Sequence, residues 1–168
     1  MRVIVMSDSH GDKETVNAVS ALQADAIFHC GDSELAWDDT LLTNIHIVKG
    51  NCDRDHRFPD SVIVEVGSKK IWMVHGHEHD CKRTMLPLYY HALELGADIV
   101  LFGHSHSYGA ELRDGILFVN PGSTILPREG KQPTFAEIEW EDNYRVYFKN
   151  MSMETVITVE IKNIANNR

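Results

Sequence analysis

The chain has 168 residues, 43% hydrophobic and 24% charged, and a formal net charge of -9 with its ten histidines neutral. That length suits a single domain over residues 1–168 with a core of its own, and the composition excludes wholesale disorder and fibrous repeats. An acidic surface repels phosphate backbones and argues against broad nucleic-acid binding, although bound cations would still admit a small phosphate ester.

No apolar run approaches the roughly 18–20 residues that span a bilayer, so no membrane partner is expected. The opening MRVIVMSDSHGD lacks the length and cleavage site of a signal peptide. Three cysteines without CxxC spacing argue against a disulfide framework, and the expected compartment is reducing and cytoplasmic.

In chain order, Arg2–Met6 reads as a buried strand, 13–23 as a helix and Ala26–His29 as a second strand. Residues 34–43 read as a short helix or loop, and 45–48 as a third strand. Ser61–Val66 and 70–74, joined through Gly67-Ser68, predict a hairpin. Residues 84–95 predict a helix with Pro87 in its first turn and Gly96 as its terminator. Then come strands at 99–102, 110–113, Ile116–Asn120, 133–140, 145–149 and 155–162, with a tight turn at Asp114-Gly115 and a frayed tail at 165–168. Strand–helix alternation followed by a β-rich third predicts two packed sheets with helices outside.

The early strands end in potential metal ligands beside glycine or small residues: Asp8-Ser9-His10, Gly31-Asp32, Gly50-Asn51-Cys52-Asp53, His75-Gly76-His77 and Gly103-His104-Ser105-His106. Ligands of α/β sheets bind outside the carboxyl ends of strands, so Asp8, His10, Asp32, Asn51, His75, His104 and His106 are expected to converge. That is too many groups for one tetrahedral ion and suits two neighbouring ions sharing a carboxylate. Asp32 is the natural bridge, since a carboxylate can serve two cations and a neutral imidazole cannot.

Taken in order, Asp8-x-His10, Gly31-Asp32, Gly50-Asn51-x-Asp53, His75-Gly76 and Gly103-His104-x-His106 resemble the signature of the calcineurin-like metallophosphoesterases. The small size and the Gly-Asn-Cys-Asp form resemble the YfcE-like phosphodiesterase branch, which also contains a retromer subunit of similar fold. The resemblance runs from residue 2 to about 140. It implies a four-layer α-β-β-α sandwich of two mixed sheets. It also implies one ion on Asp8, His10 and His106, a second on Asn51, His75 and His104, and Asp32 between them. Many members carry histidine, the general acid, where this chain has Cys52.

The implied function is hydrolysis of a small phosphate ester, most naturally a phosphodiester, by a hydroxide bridging two divalent ions. Manganese is favoured, and iron, zinc or nickel also suit the ligands. Asn51 and His77 are the candidate catalytic side chains; His77 reads as a contact to substrate or water, or as a solvated loop residue. His79 and His91 read as surface residues. His29 reads as support for a ligand loop or as a buried structural residue, and His46 and His56 carry no spacing signal. Arg54, Arg57 and Arg128 could each grip a phosphate or serve the surface, and 120–123 reads as a structural turn. Loops 33–44, 54–60, 78–84 and 123–133 should frame the pocket without a motif that names the substrate, and a homo-oligomer stays open. Two other readings compete. A metallo-β-lactamase-type zinc hydrolase would leave Asp8-x-His10 unexplained, and a non-catalytic interaction scaffold need not keep a full ligand set.

Overall fold

A computed structural model describes residues 1–162, and its strands follow the hydrophobic runs. The elements are β1 (Arg2–Met6), α1 (Lys13–Ser20), β2 (Ala26–His29), β3 (His46–Ile47), β4 (Ser61–Val66), β5 (Lys69–Val74), α2 (Leu86–Leu95), β6 (Ile99–Leu101), β7 (Gly109–Arg113), β8 (Ile116–Asn120), β9 (Thr134–Trp140), β10 (Tyr144–Asn150) and β11 (Thr155–Ile161). Single 3-10 turns occupy Thr40–Leu42 and His77–His79. The tail expected at 165–168 lies outside the described residues.

One sheet runs β11-β10-β9-β1-β2-β3 and the other β4-β5-β6-β8-β7. β1, β2 and β3 are mutually parallel, with β9 antiparallel to β1. In the second sheet β5, β6 and β8 are parallel, flanked by antiparallel β4 and β7. Both sheets are therefore mixed, as the resemblance implied. Parallel strands point the same way, so their ligand-bearing exits collect at one edge.

β1 is apolar on both faces because both are covered. Val3 and Val5 pack between the sheets with Phe28, Met73, Leu101 and Val119. Ile4 and Met6 face outward under Val16 and Val19 of α1. On the far side Leu88 and Ala92 of α2 cover Trp72, Val74 and Val100. These three apolar layers make the four-layer α-β-β-α order. Each fully buried branched side chain contributes about 1.5–3 kcal/mol.

Three elements are at least two residues shorter than the sequence reading, and several other borders shift by a single residue. α1 ends at Ser20 rather than 23, because the Leu22 amide turns back to the Val19 carbonyl and tightens the exit. α2 begins at Leu86 rather than 84: Thr84 Oγ1 accepts from the Leu86 amide, and Pro87 sits in the first turn, where no amide hydrogen is needed. β3 shrinks to two residues, because its only ladder is with the end of β2. Among the described residues, no helix is long and apolar enough to cross a membrane.

Candidate metal centre

The exits of β1 and β2 run side by side. The amides of Asp8, His10 and Gly11 donate to the carbonyls of Gly31, Asp32 and Ser33 at 3.0, 3.0 and 2.8 Å. This pairing holds Asp8, His10 and Asp32 at φ of 53°, 43° and 55°; His104 and His106 sit at 65° and 58°. Side-chain residues avoid this left-handed region at a cost of about 1 kcal/mol or more each, so the surrounding hydrogen bonds must impose it. Two glycines are required by close approach. A Cβ on Gly50 would run into Asp32 Oδ1, and one on Gly103 into Ser7 Oγ.

The inward-facing atoms are nearly all acceptors. His75 Nδ1 lies 2.7 Å from the Cys30 carbonyl and His106 Nδ1 2.7 Å from the Leu126 carbonyl. His10 Nδ1 lies 2.6 Å from Glu34 Oε1. Each contact commits the Nδ1 hydrogen, so a neutral ring turns a lone pair inward from Nε2. His75 Nε2 then meets Asn51 Oδ1 at 3.1 Å, Asp32 Oδ2 at 3.2 Å and Asp8 Oδ1 at 3.9 Å. His106 Nε2 meets Asp8 Oδ1 at 3.1 Å and His10 Nε2 at 3.5 Å. Asp8 Oδ2 accepts from the Ser7 hydroxyl and the His104 amide, whereas the buried Asp8 Oδ1 has no hydrogen-bond partner. Converging lone pairs around an orphaned carboxylate oxygen call for cations, and the mixed imidazole, carboxylate and amide set fits divalent ions.

The donors form two triads whose atoms lie within 4.8 Å of one another: Asp8, His10 and His106, and Asp8, Asp32 and His75. Asp8 belongs to both. Asn51 joins the second triad through His75. The His104 ring packs on His75 with centroids 5.1 Å apart, at the rim of the cluster.

The electrostatics match. Burial raises the pKa of Asp8, but His106, His75 and the Ser7 hydroxyl more than offset it and leave the carboxyl below its ordinary value. Burial likewise opposes Asp32, and His75 wins by more, holding it well below the carboxylate range. Burial would lower His75, yet its bond to Asp32 keeps it raised; His106 is raised by Asp8. Without metal, protons can therefore take the cation's place on these rings. His104, lacking such a partner, is pushed down to about 4 by burial and then by the nearby His75 and Lys82.

The sequence reading gave Asp53 no role beyond its motif. Asp53 Oδ2 accepts from the amides of Asp32 and Gly50 at 2.8 and 2.7 Å, and Oδ1 from Glu34 at 2.7 Å. It fastens the exits of β2 and β3 together. Its place inside Gly50-Asn51-x-Asp53 was the signal. Residues 120–123 form a turn that also braces ligands: Asn120 Nδ2 donates to the Gly103 carbonyl, and the Ser123 hydroxyl donates to the Asp8 carbonyl.

The strand carrying His75 does not continue to His77. β5 ends at Val74, and Gly76 at φ 103° turns the chain into the 3-10 helix. The half-buried His77 still lands beside the cluster, its ring centroid 5.3 Å from His75 and 6.1 Å from His104. His29 is fully buried and uses both nitrogens: Nδ1 accepts from the Gly31 amide and Nε2 donates to Ser9 Oγ. His79 and His91 pair at 3.3 Å beside Trp72, so His79 is tied down rather than free at the surface. Arg57 is held by Asp55 and Asp38. Arg54 lines a cavity of about 580 Å³ with Glu34, Leu35, Ala36, Cys52 and Asp55, next to the cluster.

Residues 1–143 match the calcineurin-like phosphoesterase superfamily domain. The chain is 42% identical over 146 residues to the probable metallophosphoesterase YsnB of Bacillus subtilis (strain 168), covering 85% of this chain and 86% of that protein. It superposes with a TM-score of 0.93 and 39% identity on the crystal structure of a predicted phosphoesterase from Streptococcus pneumoniae TIGR4, over 96% of this chain and 97% of the other. Yfce, a phosphoesterase from E. coli, shares the fold at a TM-score of 0.68 and 19% identity, over 96% and 100%. The ordered motifs, the two mixed sheets and these likenesses agree: the chain belongs to the calcineurin-like phosphoesterase superfamily, with the fold of its small YfcE-like branch.

Proposed function

We propose that this chain hydrolyses phosphodiesters at a centre of two divalent ions, with manganese favoured over iron, zinc or nickel. The observation that carries this reading is the ring of acceptors around the buried Asp8 Oδ1, which accepts no hydrogen bond. Asp8, His10 and His106 would hold one ion and Asn51, His75 and His104 the other, with Asp32 between. When bound, the ions supply Lewis-acid charge to the phosphoryl oxygens and acidify water.

The chain's own groups do the rest. The committed Nδ1 hydrogens fix the tautomers of His10, His75 and His106 before substrate arrives, so little reorganisation is left for the reaction. Asn51 is a polarisable amide at the solvent-facing side of the cluster. His77 is the imidazole that a bound ester could reach and the candidate proton donor to the departing oxygen. Cys52 stands where many relatives carry an acid, but a thiol is a weak donor. Burial, then Asp32 and other carboxylates, pushes it up to about 11.

The test is turnover of aryl phosphodiesters, monoesters and cyclic nucleotides by chelator-treated protein, before and after adding manganese, zinc, nickel or iron. We expect loss on chelation, recovery with a transition ion and preference for the diester. Full turnover by verified metal-free protein would overturn the mechanism, and faster turnover of monoesters would overturn the substrate class. A protein that binds two ions and turns over none of these esters would be a scaffold.

A further inference from the structure

A third group of potential ligands lies just outside the centre. A carboxylate oxygen of Glu34, the Sγ of Cys52 and a ring nitrogen of His10 fall within 4.8 Å of one another. Unlike the two inner triads, this one opens to solvent, since Glu34 and Cys52 are exposed and border the 580 Å³ cavity. Its members are built into position. Glu34 sits at φ 54° with its amide bound to Asp53 Oδ1, and the Cys52 amide is bound to Asp32 Oδ1. The Asn51 amide lies 3.4 Å from Cys52 Sγ. A thiol, a carboxylate and an imidazole in one cluster make a donor set for softer divalent ions such as zinc and cadmium, which thiolate selects over manganese.

We propose that Cys52, Glu34 and His10 form a regulatory site for thiophilic divalent cations, which captures His10 and so competes with the inner centre. The proposal rests on the functional reading above only for its effect on turnover. The competition follows from the imidazole. His10 Nδ1 faces Glu34 at 2.6 Å and Nε2 faces His106 at 3.5 Å. A neutral ring has one lone pair and one hydrogen. A cation on Nδ1 moves that hydrogen to Nε2, which then presents N–H to the inner site instead of a lone pair. Capture of Cys52 releases the thiol proton to solvent. The outer ion and the inner ion of the Asp8–His10–His106 triad are thus mutually exclusive at His10.

Cadmium distinguishes the site, because a cadmium–thiolate bond gives an ultraviolet charge-transfer band. Cys30 and Cys81 are buried, so in the folded protein the band reports Cys52. The experiment titrates manganese-loaded protein with cadmium and with zinc, reading the band, bound manganese and turnover of an aryl phosphodiester. Wild type should show a saturable band, loss of about one manganese and matching inhibition. Cys52→Ser should lose the band and need roughly tenfold more zinc for half-inhibition relative to its own starting rate. Glu34→Gln should weaken both responses, and circular dichroism checks that each variant is folded. No band in wild type would overturn the site, and a band with unchanged manganese content would overturn the competition. If the protein turns over no phosphodiester, the band and the manganese content still decide the proposal.

Discussion

At the residue scale, the proposed place of Asp32 between two ions sets the order of importance, beside Asp8, the carboxylate common to both triads. A carboxylate between two ions offsets charge on both, and a neutral amide does so poorly. Asp32→Asn should therefore lower metal content and turnover more than His106→Ala, by about tenfold beyond the 10–100-fold expected for disturbing a single ligand's support. Metal stoichiometry and rate measured side by side check this; two bound ions with near-normal rate in Asp32→Asn would remove it from the bridge. Cys52 leads to a second expectation. A positioned acid is worth about 10²–10⁴-fold in rate. With only a thiol there, aryl diesters, whose leaving groups depart unaided, should far outrun alkyl diesters. Cys52→His should narrow that gap selectively, as competition between the two ester classes would show.

At the element scale, the strands are rigid and the candidate site hangs from their exits, so the carboxylate joining two exits matters although it lies outside the candidate ligand set. Asp53→Ala would strand the buried amides of Asp32 and Gly50. An unsatisfied buried donor costs about 1–3 kcal/mol. We expect a stability loss of about 2–4 kcal/mol in denaturant unfolding, with weaker metal binding, whereas Asp53→Asn should keep part of both. The strands themselves were legible because β1, β2, β6 and β8 are covered on both faces and read as unbroken apolar runs. The gathering of the candidate ligands at one edge was legible because strand direction decides where exits meet. The bracing was not. That Asp53 ties two loops, that Leu126 and Cys30 supply carbonyls to His106 and His75, and that Gly76 turns His77 off the strand depend on backbone angles that hydrophobic period does not encode.

At the scale of the whole molecule, stability should depend on pH through buried groups that are not themselves candidate ligands. His29 is buried neutral, its pKa pushed down to about 4 chiefly by burial. An unfolded histidine titrates near 6.5. The unfolded chain therefore binds the extra proton between these values. The contribution is complete above about pH 6.5 and declines as pH falls toward 4, by about 3 kcal/mol in all. Urea unfolding of chelator-treated wild type and His29→Gln across this range should show the decline reduced in the variant; parallel curves would refute it. Glu137 acts at lower pH. It is buried, and bonds from Arg2 and Lys149 outweigh its burial and lower its pKa. Its contribution is present above its unfolded value and lost as pH falls through the folded one. Glu137→Gln should consequently flatten the acid limb of the same curve.

The candidate ligands do not all come from one sheet. Asp8, His10, Asp32 and Asn51 leave β1, β2 and β3, while His75, His104 and His106 leave β5 and β6. Cations held among them would rivet the seam between two slabs that otherwise adhere through side-chain packing and a few hydrogen bonds, such as the His104 amide to Asp8. Their binding free energy is then docking free energy, adding about 2.7 kcal/mol when free metal is 100-fold above its dissociation constant. Chelation should let the slabs slip while each ladder stays intact. Hydrogen exchange would record this as faster exchange at His104, whose amide bonds across the seam to Asp8 Oδ2, with β1 and β2 still protected. A metallophosphoesterase of this kind would use its catalytic ions as fasteners, and metal starvation would weaken its frame as well as stop its chemistry.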